Sequence, residues 1–144
     1  MDKTKLGFNP TDIISEALAA REFSYCPYSQ YAVGAALMTE SGVIYQGCNI
    51  ENAAYGECIC AERTAVCRAV ARGDREFKAI AIAGGPKGQD PTTYAFPCGS
   101  CRQVLSEFSD GNVAVIVAIS ETDYEVYELK ELLPNSFNTL AMES

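Results

Sequence analysis

Two apolar runs, residues 77–83 and 113–119, flank a segment of helical character, and this order constrains the fold more than any other feature of the chain. Each run is short and rich in alanine, isoleucine or valine, as buried strands are, and a helix between two such strands predicts a crossover that pairs them in parallel. The helix is expected over 98–108, closed by Asp110-Gly111, after a loop over 84–93 rich in Gly and Pro.

The flanking segments complete an α/β layer protein. Asn9-Pro10-Thr11-Asp12 reads as a helix start, with Asn9 as cap and Pro10 in the first helical position, and that helix is expected to run to about Phe23. Residues 33–38 and 43–47 read as an antiparallel pair joined by Thr39-Glu40-Ser41-Gly42. A second helix is expected over 60–72, stopped by Gly73. Residues 124–129 read as an edge strand and 131–133 as a short helix ending at Pro134. No repeat interrupts the order, and the length of 144 residues predicts one domain over 1–144.

The formal charge of −8 argues against a polyanionic partner, so no nucleic acid is expected. Met1-Asp2-Lys3-Thr4-Lys5 is not followed by an apolar export segment, which predicts a cytoplasmic protein. The apolar run over 113–119 is far shorter than the roughly 20 residues a spanning helix needs, so no membrane partner is expected. Seven cysteines accompany no histidine. The odd count and cytosolic character favour metal binding or burial over a disulfide framework, and Ser-His-Asp and Cys-His chemistry are excluded.

Pro97-Cys98-Gly99-Ser100-Cys101 places a C-x-x-C at a helix start, and Cys60-Ala61-Glu62 opens another. Amide N–H groups and the helix dipole favour thiolates at both. Three thiolates on one Zn²⁺ ion leave a tetrahedral position open for water, and that open position separates a catalytic from a structural site. Glu62, two residues beyond a ligand, can move protons without ligating. Other readings stand beside this one: Cys98-x-x-Cys101 is also a redox pattern, and a closed four-cysteine structural module would recruit Cys58 and leave Glu62 a first-turn acid. Cys26, Cys48 and Cys67 are assigned to burial. Arg63 and Arg102 follow site residues directly; Arg63 is expected to support the thiolates as a donor behind the ligands, and Arg102 is left open.

Taken together, Cys26-Pro27-Tyr28-Ser29, Gly47-Cys48-Asn49-Ile50-Glu51-Asn52-Ala53, Cys60-Ala61-Glu62-Arg63-Thr64-Ala65, Pro97-Cys98-Gly99-Ser100-Cys101-Arg102-Gln103-Val104 and Leu132-Leu133-Pro134 followed by Phe137 resemble the small homotetrameric cytidine deaminases. The resemblance implies a three-layer α/β/α fold with a five-stranded mixed sheet. It further implies zinc, one ion per chain, on Cys60, Cys98 and Cys101, with Glu62 catalytic. The implied reaction is hydrolytic deamination of cytidine and 2'-deoxycytidine to the uridine forms, as in pyrimidine salvage. By the same likeness Tyr31 packs on the pyrimidine, Asn49 and Glu51 hold the ribose hydroxyls, and Ala61 lies against the substrate. Ala53, Tyr55 and Phe137 match positions that a neighbouring subunit inserts into the site of a homotetramer. Ala32 stands where the family commonly has proline, Phe96 where serine often precedes Pro97-Cys98, and the loop over 84–93 is somewhat long. A deaminase of a cytosine-nucleoside antibiotic of the blasticidin type would share the zinc motifs.

Overall fold

The computed structural model describes residues 6–139 and 142. The N-terminal residues 1–5, read above for an export signal, lie outside them. Helix α1 (Pro10–Ala20) begins where Asn9 accepts a hydrogen bond from the Thr11 amide at 3.1 Å, and it buries Ile13, Ile14, Ala17 and Ala20. It passes into a single 3₁₀ turn, Arg21–Phe23, rather than running on as α-helix.

Five strands follow: β1 (Tyr31–Thr39), β2 (Ile44–Cys48), β3 (Phe77–Pro86), β4 (Ala114–Ala118) and β5 (Tyr124–Glu128). They form one mixed sheet in the order β2-β1-β3-β4-β5. The β3–β4 pair is parallel, as the helix-linked apolar runs predict, and the other three pairs are antiparallel. Helix α2 (Ala61–Ala71) lies between β2 and β3, and α3 (Gly99–Glu107) forms the crossover from β3 to β4.

Strand alternation sorts the core into two layers. Ala35, Leu37, Ile80, Ile82, Val115 and Val117 face α2 and α3, meeting Ala61, Ala65, Val66, Ala69 and Leu105. The intervening Ala36, Met38, Ala79, Ala81, Ala114 and Ile116 face α1, meeting Ile13, Ile14 and Ala17. The three-layer α/β/α arrangement is therefore written in the alternation of side chains along β1, β3 and β4.

Two glycines set how closely helices approach this sheet. A Cβ at Gly34 would lie 2.0 Å from the Ala17 carbonyl oxygen, and one at Gly47 would lie 2.4 Å from the Ala61 carbonyl oxygen and 2.5 Å from the Ala65 amide. Only glycine admits α1 onto β1 and the first turn of α2 onto β2 at these positions.

Three further differences from the sequence reading bear on the site, beside shifts of one residue at the ends of other elements. Strand β3 continues through Gly84, Gly85 and Pro86, expected as loop, because β1 presents Val33, Ala32 and Tyr31 as ladder partners. Proline is tolerated there because it ends the strand. Helix α4 spans Leu129–Leu132 rather than 131–133. A capping box between Glu128 and Glu131 starts it directly at the end of β5, with the Glu128 amide donating to Glu131 Oε1 at 3.0 Å. β1 begins at Tyr31, two residues before the expected start.

Candidate active site

Cys60 and Cys98 are the N-cap residues of α2 and α3, each with an extended backbone and no capping hydrogen bond from its side chain. Their sulfurs lie 3.8 Å apart, and Cys101, one turn into α3 and buried, lies 3.5 Å from Cys98. All three sulfurs are within 4.8 Å of one another. A Zn–S bond of about 2.3 Å in tetrahedral geometry calls for sulfur separations of about 3.8 Å, so the donor set fits zinc. Cys58 stands outside the cluster, its sulfur accepting from the Asn52 amide at 3.3 Å, so the four-cysteine module is not the arrangement formed.

The electrostatics suit a cation. Hydrogen bonding with the Cys101 thiol, joined by the Arg63 guanidinium, draws the Cys60 thiol down to about 5 against the opposing effect of burial. Cys101 is pushed up, chiefly because it holds the proton shared with Cys60 and secondarily by burial. One sulfur thus carries charge and another retains a proton that a bound metal would displace. Glu62 follows in the first turn of α2 and is only 4% exposed, and burial raises its carboxyl above the ordinary carboxylate range.

Cys60, Cys98 and Glu62 open onto a cleft of about 370 Å³ whose lining also includes Tyr31, Val33, Asn49, Glu51, Ala61 and Phe96. Its size falls in the usual range of about 300–1,000 Å³ for small-molecule sites. In the lining of the same cleft, Glu51 accepts from the Tyr28 amide at 3.0 Å, the Ser29 amide at 3.1 Å and the Ser29 hydroxyl at 2.5 Å. Asn49 is locked equally firmly. Its Oδ1 accepts from the Val33 amide at 2.9 Å and from the Ser24 hydroxyl, and its Nδ2 donates to the Tyr31 carbonyl at 2.9 Å. One Nδ2 hydrogen is left over for a ligand.

Comparison with known proteins agrees with this geometry. A family profile described as the cytidine and deoxycytidylate deaminase zinc-binding region matches residues 9–117. A cytidine deaminase of Sporosarcina psychrophila is 47% identical over 126 residues, covering 88% of this chain and 89% of its own. The chain belongs to the cytidine deaminase family. Among solved structures, the cytidine deaminase from Burkholderia pseudomallei superposes with a TM-score of 0.79 at 44% identity, covering 88% of this chain and 97% of that one. The enzyme from Mycobacterium tuberculosis gives 0.77 at 31% identity, covering 91% and 98%. The zinc-binding match encloses Cys60, Glu62, Cys98 and Cys101, and zinc is the cofactor of this family member.

Within this cytidine deaminase fold the two arginines take different tasks. Arg63 Nη2 reaches the Cys60 sulfur at 3.8 Å and the Cys58 carbonyl at 3.5 Å. Its Nε is buried without a partner among the described residues. Arg102, left open by the sequence, turns away: Nε donates to the Pro97 carbonyl and Nη1 to the Leu132 carbonyl, each at 2.8 Å, tying α3 to α4.

Ala53, Tyr55 and Phe137 do not line the cleft of their own chain. Tyr55 is 74% exposed and meets the Tyr28 ring edge-on at 5.9 Å. Phe137 is 64% exposed, its carbonyl held by Gln103 Nε2 at 2.8 Å. Of the cysteines assigned to burial, Cys26 is buried and Cys48 partly so, but Cys67 is exposed. The buried positions of α2 are 61, 62, 65, 66 and 69, which puts Cys67 on the outer face. Residue-level reading gave Ser24 and Ser29 no role, because their partners lie 25 and 22 residues away and leave no local signal.

Proposed function

We propose that this chain deaminates cytidine and 2'-deoxycytidine hydrolytically to the uridine forms, in pyrimidine salvage. The observation that carries the reading is one cleft whose lining brings together Cys60 and Cys98 of the three-sulfur cluster, the buried Glu62 carboxyl and the fixed Asn49 and Glu51 side chains.

In this reading Cys60, Cys98 and Cys101 hold the zinc ion, which when bound supplies a Lewis acid that makes water a nucleophile near neutral pH. Glu62 takes one proton from the attacking water and passes it to ring N3, then takes the second from the new C4 hydroxyl and delivers it to the amine, which leaves as ammonia while the C4 carbonyl forms. Its burial raises the carboxyl above the ordinary carboxylate range, the direction that favours proton transfer near neutral pH. Arg63 steadies the excess negative charge of the thiolates. Tyr31 stacks on the pyrimidine and Ala61 packs against it. Asn49 donates and Glu51 accepts at the sugar hydroxyls.

Among the described residues, the cleft lining contains two carboxylates and no lysine or arginine. A 5'-phosphate would enter it without a countercharge, so the nucleoside is the substrate, and a nucleic-acid strand is disfavoured further by the −8 net charge. Exposed Ala53, Tyr55 and Phe137 support sites completed by a neighbouring copy in a homotetramer. Seven free thiols suit the reducing cytoplasm. Among the described residues no helix is long and apolar enough to cross a membrane.

The test is to purify the protein, count zinc per chain, and follow the ultraviolet change on adding cytidine to wild type and Glu62→Ala. A panel including cytidine 5'-monophosphate and a cytosine-nucleoside antibiotic fixes the substrate class. Activity that survives loss of Glu62, or preference for the antibiotic, would overturn the reading.

A further inference from the structure

One wall of the cleft is formed by residues 95–96, on the segment that leads into α3. Phe96 lines the cleft, is 45% exposed, and immediately precedes the buried Pro97 and the N-cap Cys98. Its ring leans on Tyr127 of β5, with centroids 5.5 Å apart and planes tilted by 59°. Tyr127 is half-buried against the core, and its hydroxyl donates to Glu125 at 2.7 Å. Two residues before Phe96, the Tyr94 hydroxyl donates to Asp123 at 2.5 Å. The segment carrying Phe96 is thus fastened at two points to the outer edge of the sheet, and its ring is a supported wall.

The neighbouring space is already full. A Cβ at Gly84 would lie 3.0 Å from the Tyr31 ring and 3.1 Å from the Ala95 methyl group, so the Tyr31 edge and Ala95 meet above the only residue type that leaves them room. Accepting the deaminase reading, C4 of the base lies at the thiols and Glu62, and N1 points to Asn49 and Glu51. Glu62 comes from α2 and serves N3 and the amine on one edge of the ring. Phe96 lines the same cleft two residues before the Cys98 ligand, on a segment separate from α2, which assigns it to the other neighbour of C4, the C5 edge.

We propose that Phe96, propped by Tyr127, is a specificity-determining residue that faces the C5 edge of the base and excludes cytosine nucleosides carrying a bulky C5 substituent. Phe96 acts by direct contact with the base, and Tyr127 is a positioning residue that acts through Phe96.

The experiment measures kcat/KM for cytidine, 5-methylcytidine, 5-iodocytidine and 2'-deoxycytidine with wild type, Phe96→Ala, Tyr127→Leu and Tyr127→Phe. Electronic effects of a substituent are common to all variants and cancel when its ratio to cytidine is compared between them. Phe96→Ala is expected to raise the 5-iodocytidine-to-cytidine ratio at least roughly tenfold, the discrimination typical of a small change in pocket volume. Tyr127→Leu is expected to raise it in the same direction, and Tyr127→Phe, which keeps the ring, to leave it at the wild-type value. The 2'-deoxycytidine ratio should stay put throughout, because the sugar end is untouched. An unmoved 5-iodocytidine ratio in folded Phe96→Ala overturns the proposal, as does a parallel shift of the deoxycytidine ratio, which would mean general loosening. A wild type without cytidine activity would overturn the deaminase reading itself and this proposal with it.

Discussion

Ser29 binds Glu51 twice, its amide donating to Oε1 at 3.1 Å and its hydroxyl to Oε2 at 2.5 Å. A carboxylate held by both donors is fixed in place and stabilised as the anion. The hydroxyl of Ser29, then its amide, holds the Glu51 carboxyl below the ordinary carboxylate range, although partial burial opposes them. Because the folded-state midpoint is depressed, the stabilisation is complete above the midpoint of free glutamate, about 4.3. It is lost as pH falls through the folded midpoint. A carboxyl-carbon NMR titration should place Glu51 below free glutamate, and Ser29→Ala should move it upward. An unshifted midpoint in the variant would show that the hydroxyl has no part in this.

Removing the Glu62 carboxylate should spare metal binding, since it is not among the clustered sulfurs. Glu62→Gln is expected to lower kcat by roughly 10²–10⁴, the range for general acid–base groups. Zinc per chain should stay at the wild-type value, as measured by elemental analysis. Loss of metal along with activity would assign Glu62 to ligation instead.

Chelation distinguishes the cysteines by position. Dialysis against a strong chelator should abolish activity and leave Cys60 and Cys98 newly reactive toward a thiol reagent, while exposed Cys67 reacts at the same rate before and after. Cys67→Ser should have activity within a factor of two of wild type, because the outer face of α2 touches neither cleft nor cluster. Mass spectrometry of the labelled peptides checks both.

Gly47 fixes the distance between β2 and the helix that carries Cys60 and Glu62. A Cβ there would collide with the Ala61 carbonyl and the Ala65 amide, backbone groups that cannot move aside singly. Gly47→Ala should destabilise the fold by about 1–3 kcal/mol, the usual magnitude for overpacking. It should also reduce zinc content, since the displaced turn bears a ligand. Denaturant unfolding and metal analysis test the two effects, and a fully metallated variant of wild-type stability would show that α2 is seated otherwise.

Phe137 is exposed on a segment pinned by Gln103, and it is not part of the lining of its own cleft. If a neighbouring copy receives it, Phe137→Ala and Glu62→Ala are each defective, but in different sites of an assembly. Mixing the two inactive proteins under conditions that exchange subunits should restore activity, because some sites then combine an intact Glu62 with an intact Phe137. Persistent inactivity in oligomers shown to be mixed would argue for sites confined to single chains.

Much of the metal site was legible locally. Helix starts at Cys60 and Cys98 are properties of a few consecutive residues, so the thiols, Glu62 and the parallel β3–β4 crossover could be read from motif and periodicity. The Tyr31, Asn49, Glu51 and Phe137 assignments came instead from family likeness, and their roles belong to the proposed function. Gly84 to Pro86 reads locally as a loop, yet joins β3, because Val33, Ala32 and Tyr31 supply partners more than 50 residues away. Local propensity cannot report a partner that the chain reaches only on folding.

The amino-acid order by itself determined which residues begin helices, which runs alternate into a two-faced sheet, and which donors suit zinc, because capping, periodicity and ligand chemistry act within a few residues. Tertiary structure alone decided that Ser29 would fasten Glu51, that Arg102 would tie α3 to α4 rather than serve the thiols, that Cys67 would face outward, and that Phe96 would stand on Tyr127. Those outcomes depend on how closely glycines at 34 and 47 let helices settle on the sheet, and on contacts between segments distant in sequence, whose energies exist only once the layers have packed.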